Sequence, residues 1–419
     1  MIRKLLLILT LLAAPPALAA NSVATLLNGA IALACAENPV ALDAMAEALP
    51  GNIVLIAEDP IVLGDETFGW RRQFTFVDGA VLQLTRLTTW RRIEAEYSAP
   101  HGDVARPETA VVVDADCRIT MARWLTYDPA GVAEAIEILG PDLAPTGERE
   151  LLNPAAPSGI DPGGVTVALV DSGVNYLLPA IAGGLARHGD GALVGFDYWD
   201  MDDQPFDADP ARSPFFPQRH GTRVASVILA QAPAVRLIPY RYPRPDPSRL
   251  ADLIDHAANN GARIVNLTMG SNRVEHWDGF KAGALAHPDI LFVVSAGNDN
   301  RDLDRRPVYP AAFNIPNMLV VAAADGFGEP APGSNWGKGT VDLLVPGEQV
   351  PVIDFHGVAT TASGASFAAP RVTALAARLL ADHPHWTAAE LKAAIIARAR
   401  LIDATGRLTS RYGFLDLGS

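Results

Sequence analysis

Two cysteines, Cys35 and Cys117, are all that 419 residues contain, which excludes a disulfide-built scaffold and any site needing four cysteine ligands. Positive charge is also short: 33 lysines and arginines stand against 47 acidic residues, a formal net charge of −14. A chain with that balance lacks a broad basic face for phosphates, so nucleic acid is excluded as a partner. Lysine itself is nearly missing, four residues beside 29 arginines, a bias that reads as genome composition rather than function. No apolar run approaches the ~20 residues that span a bilayer. The run at the start, residues 5–14, stops at Pro15-Pro16. With 49% hydrophobic residues, 35 Gly and 33 Pro, the composition is that of a folded chain of two or three domains, neither low in complexity nor disordered.

What is present at the start is a charged tip, Arg3-Lys4, a short apolar run and the small-residue triplet Ala17-Leu18-Ala19. That is the pattern of a secretory signal over residues 1–20. The expectation is an exported protein, periplasmic or extracellular, with no integral membrane segment. Export implies an oxidising compartment, in which Cys35 and Cys117 pair; the alternative is two buried thiols. Pro141, Pro145, Pro154, Pro157 and Pro162, with Gly147, Gly159, Gly163 and Gly164, mark residues 141–163 as a linker or processing segment. It separates an N-terminal module, 21–140, from a larger module, 164–419. Residues 20–163 hold 9 basic and 21 acidic groups (−12), and residues 164–419 hold 22 and 26 (−4).

The smaller module reads as α+β. Helices are expected over 39–49 and over 129–139, the latter behind Asp128 as N-cap. Residues 73–77 and 81–85 alternate about Asp78-Gly79, a hairpin signal. Trp70-Arg71-Arg72 recurs as Trp90-Arg91-Arg92, read as arginines on a solvated strand edge. The larger module reads as α/β. Residues 165–170 form an apolar strand ending on Asp171. Helices over 248–260 and 273–286 lead into strands 264–268 and 290–295, followed by strands 318–323 and 341–345 and closing helices 367–380 and 388–398. Apolar runs without alternation belong to strands covered on both faces, hence a mostly parallel sheet with helices on both sides. Such sheets bind ligands beyond the carboxyl ends of their strands, where Asp171 and Gly297-Asn298 fall.

Three segments carry chemistry when taken together: Val170-Asp171-Ser172-Gly173, His220-Gly221-Thr222, and Ser363-Gly364-Ala365-Ser366-Phe367-Ala368-Ala369-Pro370. Singly they supply a turn carboxylate, a loop histidine and a helix cap. The order Asp, His, Ser over these distances is that of a serine-hydrolase triad. Further segments fall in matching order: Asn266-Leu267-Thr268-Met269-Gly270-Ser271, Ser295-Ala296-Gly297-Asn298, Tyr309-Pro310-Ala311, Ser334-Asn335-Trp336-Gly337 and Val345-Pro346-Gly347. On these residues the chain resembles the subtilisin-like (subtilase) serine protease family over about residues 164–419.

The resemblance implies a subtilisin-like α/β domain, preceded by the α+β module, acting as a serine endopeptidase on polypeptides. It assigns Ser366 as nucleophile, His220 as general base, Asp171 as the group orienting the imidazole and Asn298 as an oxyanion donor. It gives substrate contact to Thr268, Met269, Gly270, Ala296, Gly297 and Ala311, and makes Tyr309-Pro310 a cis bond. Ala311 stands where the family typically has Gly, which implies a shortened primary pocket that disfavours large aromatic side chains. No cofactor is required for catalysis. Family members often bind structural calcium, but the six carboxylates between Asp197 and Asp209 match no ligand spacing and read as a solvated acidic loop; no metal is assigned. The smaller module stands where such enzymes carry a propeptide, an intramolecular chaperone and inhibitor, although its length and a disulfide suit a retained accessory domain equally. Two other readings of the chain are a catalytically silent binding protein of this fold and an esterase using the same triad.

Overall fold

The computed structural model describes residues 17–36, 38, 40–63, 65–87, 92–401 and 409–417. They belong to two compact units, residues 1–152 and 153–419. The first unit is built on alternation. Helices α1 (Ala17–Cys35) and α2 (Leu42–Ala48) precede eight antiparallel strands that lie side by side in chain order. These are β1 (Ile53–Leu63), β2 (Glu66–Phe76), β3 (Val81–Leu87), β4 (Arg92–His101), β5 (Val104–Val113), β6 (Ile119–Tyr127), β7 (Ala133–Leu139) and β8 (Pro145–Leu151). Phe74 and Phe76 on β2, and Leu82 and Leu84 on β3, are buried between more exposed neighbours, so they form one apolar face with Leu27, Ile31 and Met45 of the helices. The turn at Asp78-Gly79 joins β2 to β3 with Gly79 at φ +90°, a conformation that suits glycine. A disulfide links Cys35, at the end of α1, to Cys117 between β5 and β6.

Three details of this unit differ from the sequence reading. Residues 133–139 are a strand, not a helix: β7 pairs with β6 through Leu125–Ile136 and with β8 through Ala135–Leu151. Pairing with the strands on both sides thus overrides the helix preference of an Ala- and Glu-rich stretch. Strand β8 lies inside the segment read as a linker, so ordered sheet continues to Leu151. Arg72 is buried on a strand flanked by β1 and β3 rather than solvated. It pairs with Glu58 at 2.6 Å, donates to the Val40 carbonyl at 2.7 Å and covers the Trp70 ring. Trp90 and Arg91 lie outside the described residues, as does most of the expected signal segment 1–20. No described helix is long and apolar enough to cross a membrane.

The second unit is built on continuous burial. Its elements are β9 (Val165–Asp171), α3 (Pro179–Ala182), β10 (Phe196–Asp197), α4 (Gly221–Gln231), β11 (Val235–Arg241), α5 (Leu250–Asn259), β12 (Ile264–Leu267), α6 (Asp278–Ala286), β13 (Leu291–Ser295), β14 (Met318–Ala324) and β15 (Leu343–Pro346). A hairpin, β16 (Val350–Ile353) and β17 (Ala359–Ala362), leads to α7 (Ala365–Asp382) and α8 (Ala388–Ile396). Seven parallel strands lie in the order β10-β11-β9-β12-β13-β14-β15. Val167 and Leu169 of β9 join the core that contains α4, α7 and α8, whereas Ala168 and Val170 join the core that contains α5 and α6. Both faces are therefore covered, which is why the strand is apolar at nearly every position. Strands β11 and β12 flank β9 on opposite sides, so the chain diverges beyond Asp171 and leaves a crevice there. The sequence reading left α4 and β11 unassigned.

Candidate active site

β9 delivers Asp171 to the carboxyl edge of the sheet with 3% of its surface exposed. The chain turns away through Gly173 at φ +91°. His220 precedes the first turn of α4, and Gly221 sets how closely it approaches. A Cβ at Gly221 would collide with the Gly173 carbonyl and lie 3.1 Å from Asp171 Cβ, so glycine alone lets the two loops touch. The approach leaves His220 Nδ1 at 2.8 and 3.0 Å from the two carboxylate oxygens of Asp171. Asp171 also accepts from the Ser172 N–H at 2.8 Å and from the Thr268 hydroxyl. Burial works to raise the Asp171 pKa, but the imidazole and these donors outweigh it and hold the carboxyl below its usual range. At His220 burial works to lower the pKa, and the carboxylates of Asp171 and Asp207 reverse that, leaving it above the ordinary histidine value. Nδ1 donates to Asp171, which leaves Nε2 as the basic nitrogen.

A second carboxylate, which the sequence reading missed, stands behind this pair. Asp207 is fully buried. Its Oδ1 accepts from the Ser172 hydroxyl at 2.6 Å and the His220 N–H at 3.1 Å, and its Oδ2 from the Thr222 hydroxyl at 2.5 Å and N–H at 2.9 Å. Asp207 thus stitches the Asp171 loop to the start of α4. Burial raises its own pKa, opposed in part by the two hydroxyls and Arg219. The acidic stretch 197–209 is accordingly solvated only in part: Asp200 and Asp203 are exposed, whereas Asp197, Asp207 and Asp209 are buried. Asp197 is buried against Arg241 at 2.8 Å, and Asp209 accepts from the Tyr242 hydroxyl and from Arg244 at 3.1 Å. These three carboxylates can be buried because donors satisfy them. Among the described residues no cluster of His, Cys, Asp and Glu is arranged to hold a metal ion. The sequence did carry a signal for Asp207: the small hydroxyl residues Ser172 and Thr222 within the two singled-out segments.

Ser366 lies in the first turn of α7, 8% exposed, where free N–H groups and the positive end of the helix dipole converge. Pro370 within that helix has no N–H to offer the Ser366 carbonyl. Gly364 (φ +134°) brings the backbone against Asn298, and a Cβ there would lie 3.1 Å from its Oδ1. Asn298 Oδ1 accepts from the Ala365 N–H at 2.8 Å, which orients the amide and leaves Nδ2 as a donor. Buried Asn335 braces the loop behind it. Its Oδ1 accepts from the N–H groups of Asp299 at 2.9 Å and Arg301 at 3.1 Å, and its Nδ2 donates to the Ala296 carbonyl at 2.8 Å. The Ser366 hydroxyl donates to the Thr268 carbonyl at 3.5 Å.

Asp171, His220, Asn298 and Ser366 open together on one cavity of about 1130 Å³, with Thr268, Met269 and Gly270 in its wall. Three other expected substrate residues are not among those lining it: Ala296 and Ala311 are buried in the core and Gly297 is half-buried. The Tyr309-Pro310 bond is cis. Tyr309 pairs with Ser271 through backbone hydrogen bonds of 2.8 and 2.9 Å, tying the segment before Ala311 to the cavity wall. Thr268, expected as a substrate contact, also anchors Asp171 through its hydroxyl. An oriented imidazole, a hydroxyl at a helix start and an amide donor together suit acyl transfer.

A family model described as "Subtilase family" matches residues 163–414. The chain is 27% identical over 257 residues to the thermophilic serine proteinase of Bacillus sp. (strain AK1), covering 58% of each. It is 28% identical over 232 residues to the cell wall-associated protease of Bacillus subtilis (strain 168), covering 52% of this chain and 24% of that protein. It therefore spans from about a quarter to somewhat over half the length of these relatives. Among solved structures, a cold adapted subtilisin-like serine proteinase shares the fold, with a TM-score of 0.50 at 24% identity over 63% of this chain and 92% of that one.

Proposed function

The chain belongs to the subtilase family, and from that premise we propose that it is an exported serine endopeptidase, made as a precursor, that cleaves polypeptides through an acyl-enzyme. The observation that carries the reading is the Asp171–His220 pair opening on the same cavity as Ser366 and Asn298. In the first step the Ser366 hydroxyl leaves the Thr268 carbonyl, gives its proton to His220 Nε2 and attacks the peptide carbonyl carbon. Asp171 stabilises the imidazolium that forms. The carbonyl oxygen gains negative charge beside the start of α7, where Asn298 Nδ2 donates to it. His220 then protonates the leaving amine, and water, activated by the same imidazole, releases the acyl group. The wall formed by Thr268, Met269 and Gly270 holds the substrate backbone. Export rests on the pattern of residues 1–20, and the Cys35–Cys117 bridge suits the same compartment.

The test is labelling of the purified full chain with a fluorophosphonate probe beside Ser366→Ala, read together with intact mass. Labelling of the native chain alone, with loss of an N-terminal fragment in native but not mutant protein, is the expected result. Labelling at unchanged mass would keep the hydrolase and make the first unit a permanent domain. Absence of labelling overturns the reading, and hydrolysis of simple esters without casein would reduce it to an esterase.

A further inference from the structure

Fixed positive charge collects in the wall of the Ser366 cavity. Arg212, Arg219, Arg223, Arg244 and Arg273 line it, against two carboxylates, Asp171 and Asp209. Both carboxylates are already engaged. Asp171 holds His220 at 2.8 Å, and Asp209 accepts from Tyr242 and from Arg244 at 3.1 Å. Arg244 is offset by that contact, and Arg219 lies over the Phe355 ring and donates to the Asp207 carbonyl. Arg212, Arg223 and Arg273 have no such counterpart: among the described residues no carboxylate forms an ion pair with any of them. Arg212 and Arg273 are exposed to solvent. The cluster runs against the sign of its surroundings, since residues 164–419 hold 22 basic and 26 acidic groups. A concave wall focuses the field of such charges into the cavity, and guanidinium groups match carboxylates in a paired, two-bond geometry.

We propose that this cavity selects acidic polypeptide segments, taking Glu or Asp side chains near the bond to be cut against Arg212, Arg223 and Arg273. The inference rests on the reading of Ser366 as nucleophile only for where a substrate lies; the charge imbalance does not depend on it. It is tested in two arms. In the first, fluorescein-labelled peptides of equal length, alanine except for two positions carrying Glu, Gln or Lys, are titrated into the full-length Ser366→Ala chain and followed by anisotropy. In the second, internally quenched versions are given to the native chain. The expected order is Glu, Gln, Lys, with Glu favoured over Lys by about tenfold at low salt, as for two partly exposed ion pairs. The ratio should shrink several-fold at high salt as screening sets in.

Arg212→Glu combined with Arg273→Glu should lower the Glu-to-Lys ratio by about tenfold or invert it, and Arg212→Gln with Arg273→Gln should move it part of the way. Equal affinities, a preference for Lys, or a ratio untouched by these substitutions would overturn the proposal. Acidic peptides bound by Ser366→Ala but left uncut by the native chain would keep it while removing the peptidase reading. Cleavage indifferent to peptide charge would do the reverse.

Discussion

In the first unit the charge is on the outside: residues 20–152 hold 9 basic and 20 acidic groups, a net −11, and Arg72 is the one ionisable side chain there that is buried among the described residues. In the second unit the net charge is small, but Asp171, Asp197, Asp207, Asp209, Arg187, Arg241, Asp342 and Arg371 all lie inside. Net charge and chemical potency are thus distributed oppositely. A surface carboxylate is screened by water and does little to its neighbours. A buried one, satisfied by two or three donors, fixes geometry and shifts the basicity of whatever it faces. Asp207 and His220 illustrate the second case, and the two units together show why a charge count says where a protein dissolves rather than where it reacts.

Substitutions of graded effect test this division between surface and buried charge. Ser366→Ala should lower peptide hydrolysis about 10⁴-fold or more while leaving the thermal melt of both units in place; retained turnover would move the chemistry elsewhere. Asn298→Ala should cost about 10²–10³ in kcat with little change in KM, measured on one amide substrate. Asp207→Asn keeps the shape and removes the charge. Because that carboxylate raises the His220 pKa, its loss should move the acid limb of the kcat/KM profile to lower pH, from a native position above the ordinary histidine range. A limb that stays or rises would make Asp207 a purely structural partner of Ser172 and Thr222. Cys35→Ser with Cys117→Ser should leave steady-state hydrolysis unchanged and destabilise the first unit by about 2–4 kcal/mol in denaturant melts. If activity falls with that stability, hydrolysis depends on the fold of the first unit.

What could be read from the residues follows the same division. The stretch 165–170 announces its strand because neither face of β9 meets water, and Asp78-Gly79 announces its turn because Gly79 supplies the positive φ required. Asp171, His220 and Ser366 were legible as an ordered set, since each occurs in a short segment of defined type. β7 was not, because its strand character comes from β6 and β8 rather than from its own composition. Asp207 was hidden for a related reason: its donors stand 35 and 15 positions away, at Ser172 and Thr222, and without them it looks like any acidic loop residue. The arginine cluster was dissolved in the count of 29 and appears only when residues 212, 223 and 273 are brought to one wall.

The contact between Gly173 and Gly221 has a consequence for how such a molecule can vary. Asp171 and His220 are 49 positions apart, but two backbones touching at glycines, with Asp207 as a second rivet, fix their mutual placement whatever path the chain takes between. Within the intervening excursion, buried Phe215 and the backbone pairing of Asp209 with Gln218 are fixed, whereas residues 211–214, which bring Arg212 to the rim, have room to change charge. A library randomised over 211–214 should therefore redirect which bonds are chosen well before it abolishes bond cleavage. The clasp makes selectivity an exchangeable part mounted on an engine that does not need retuning.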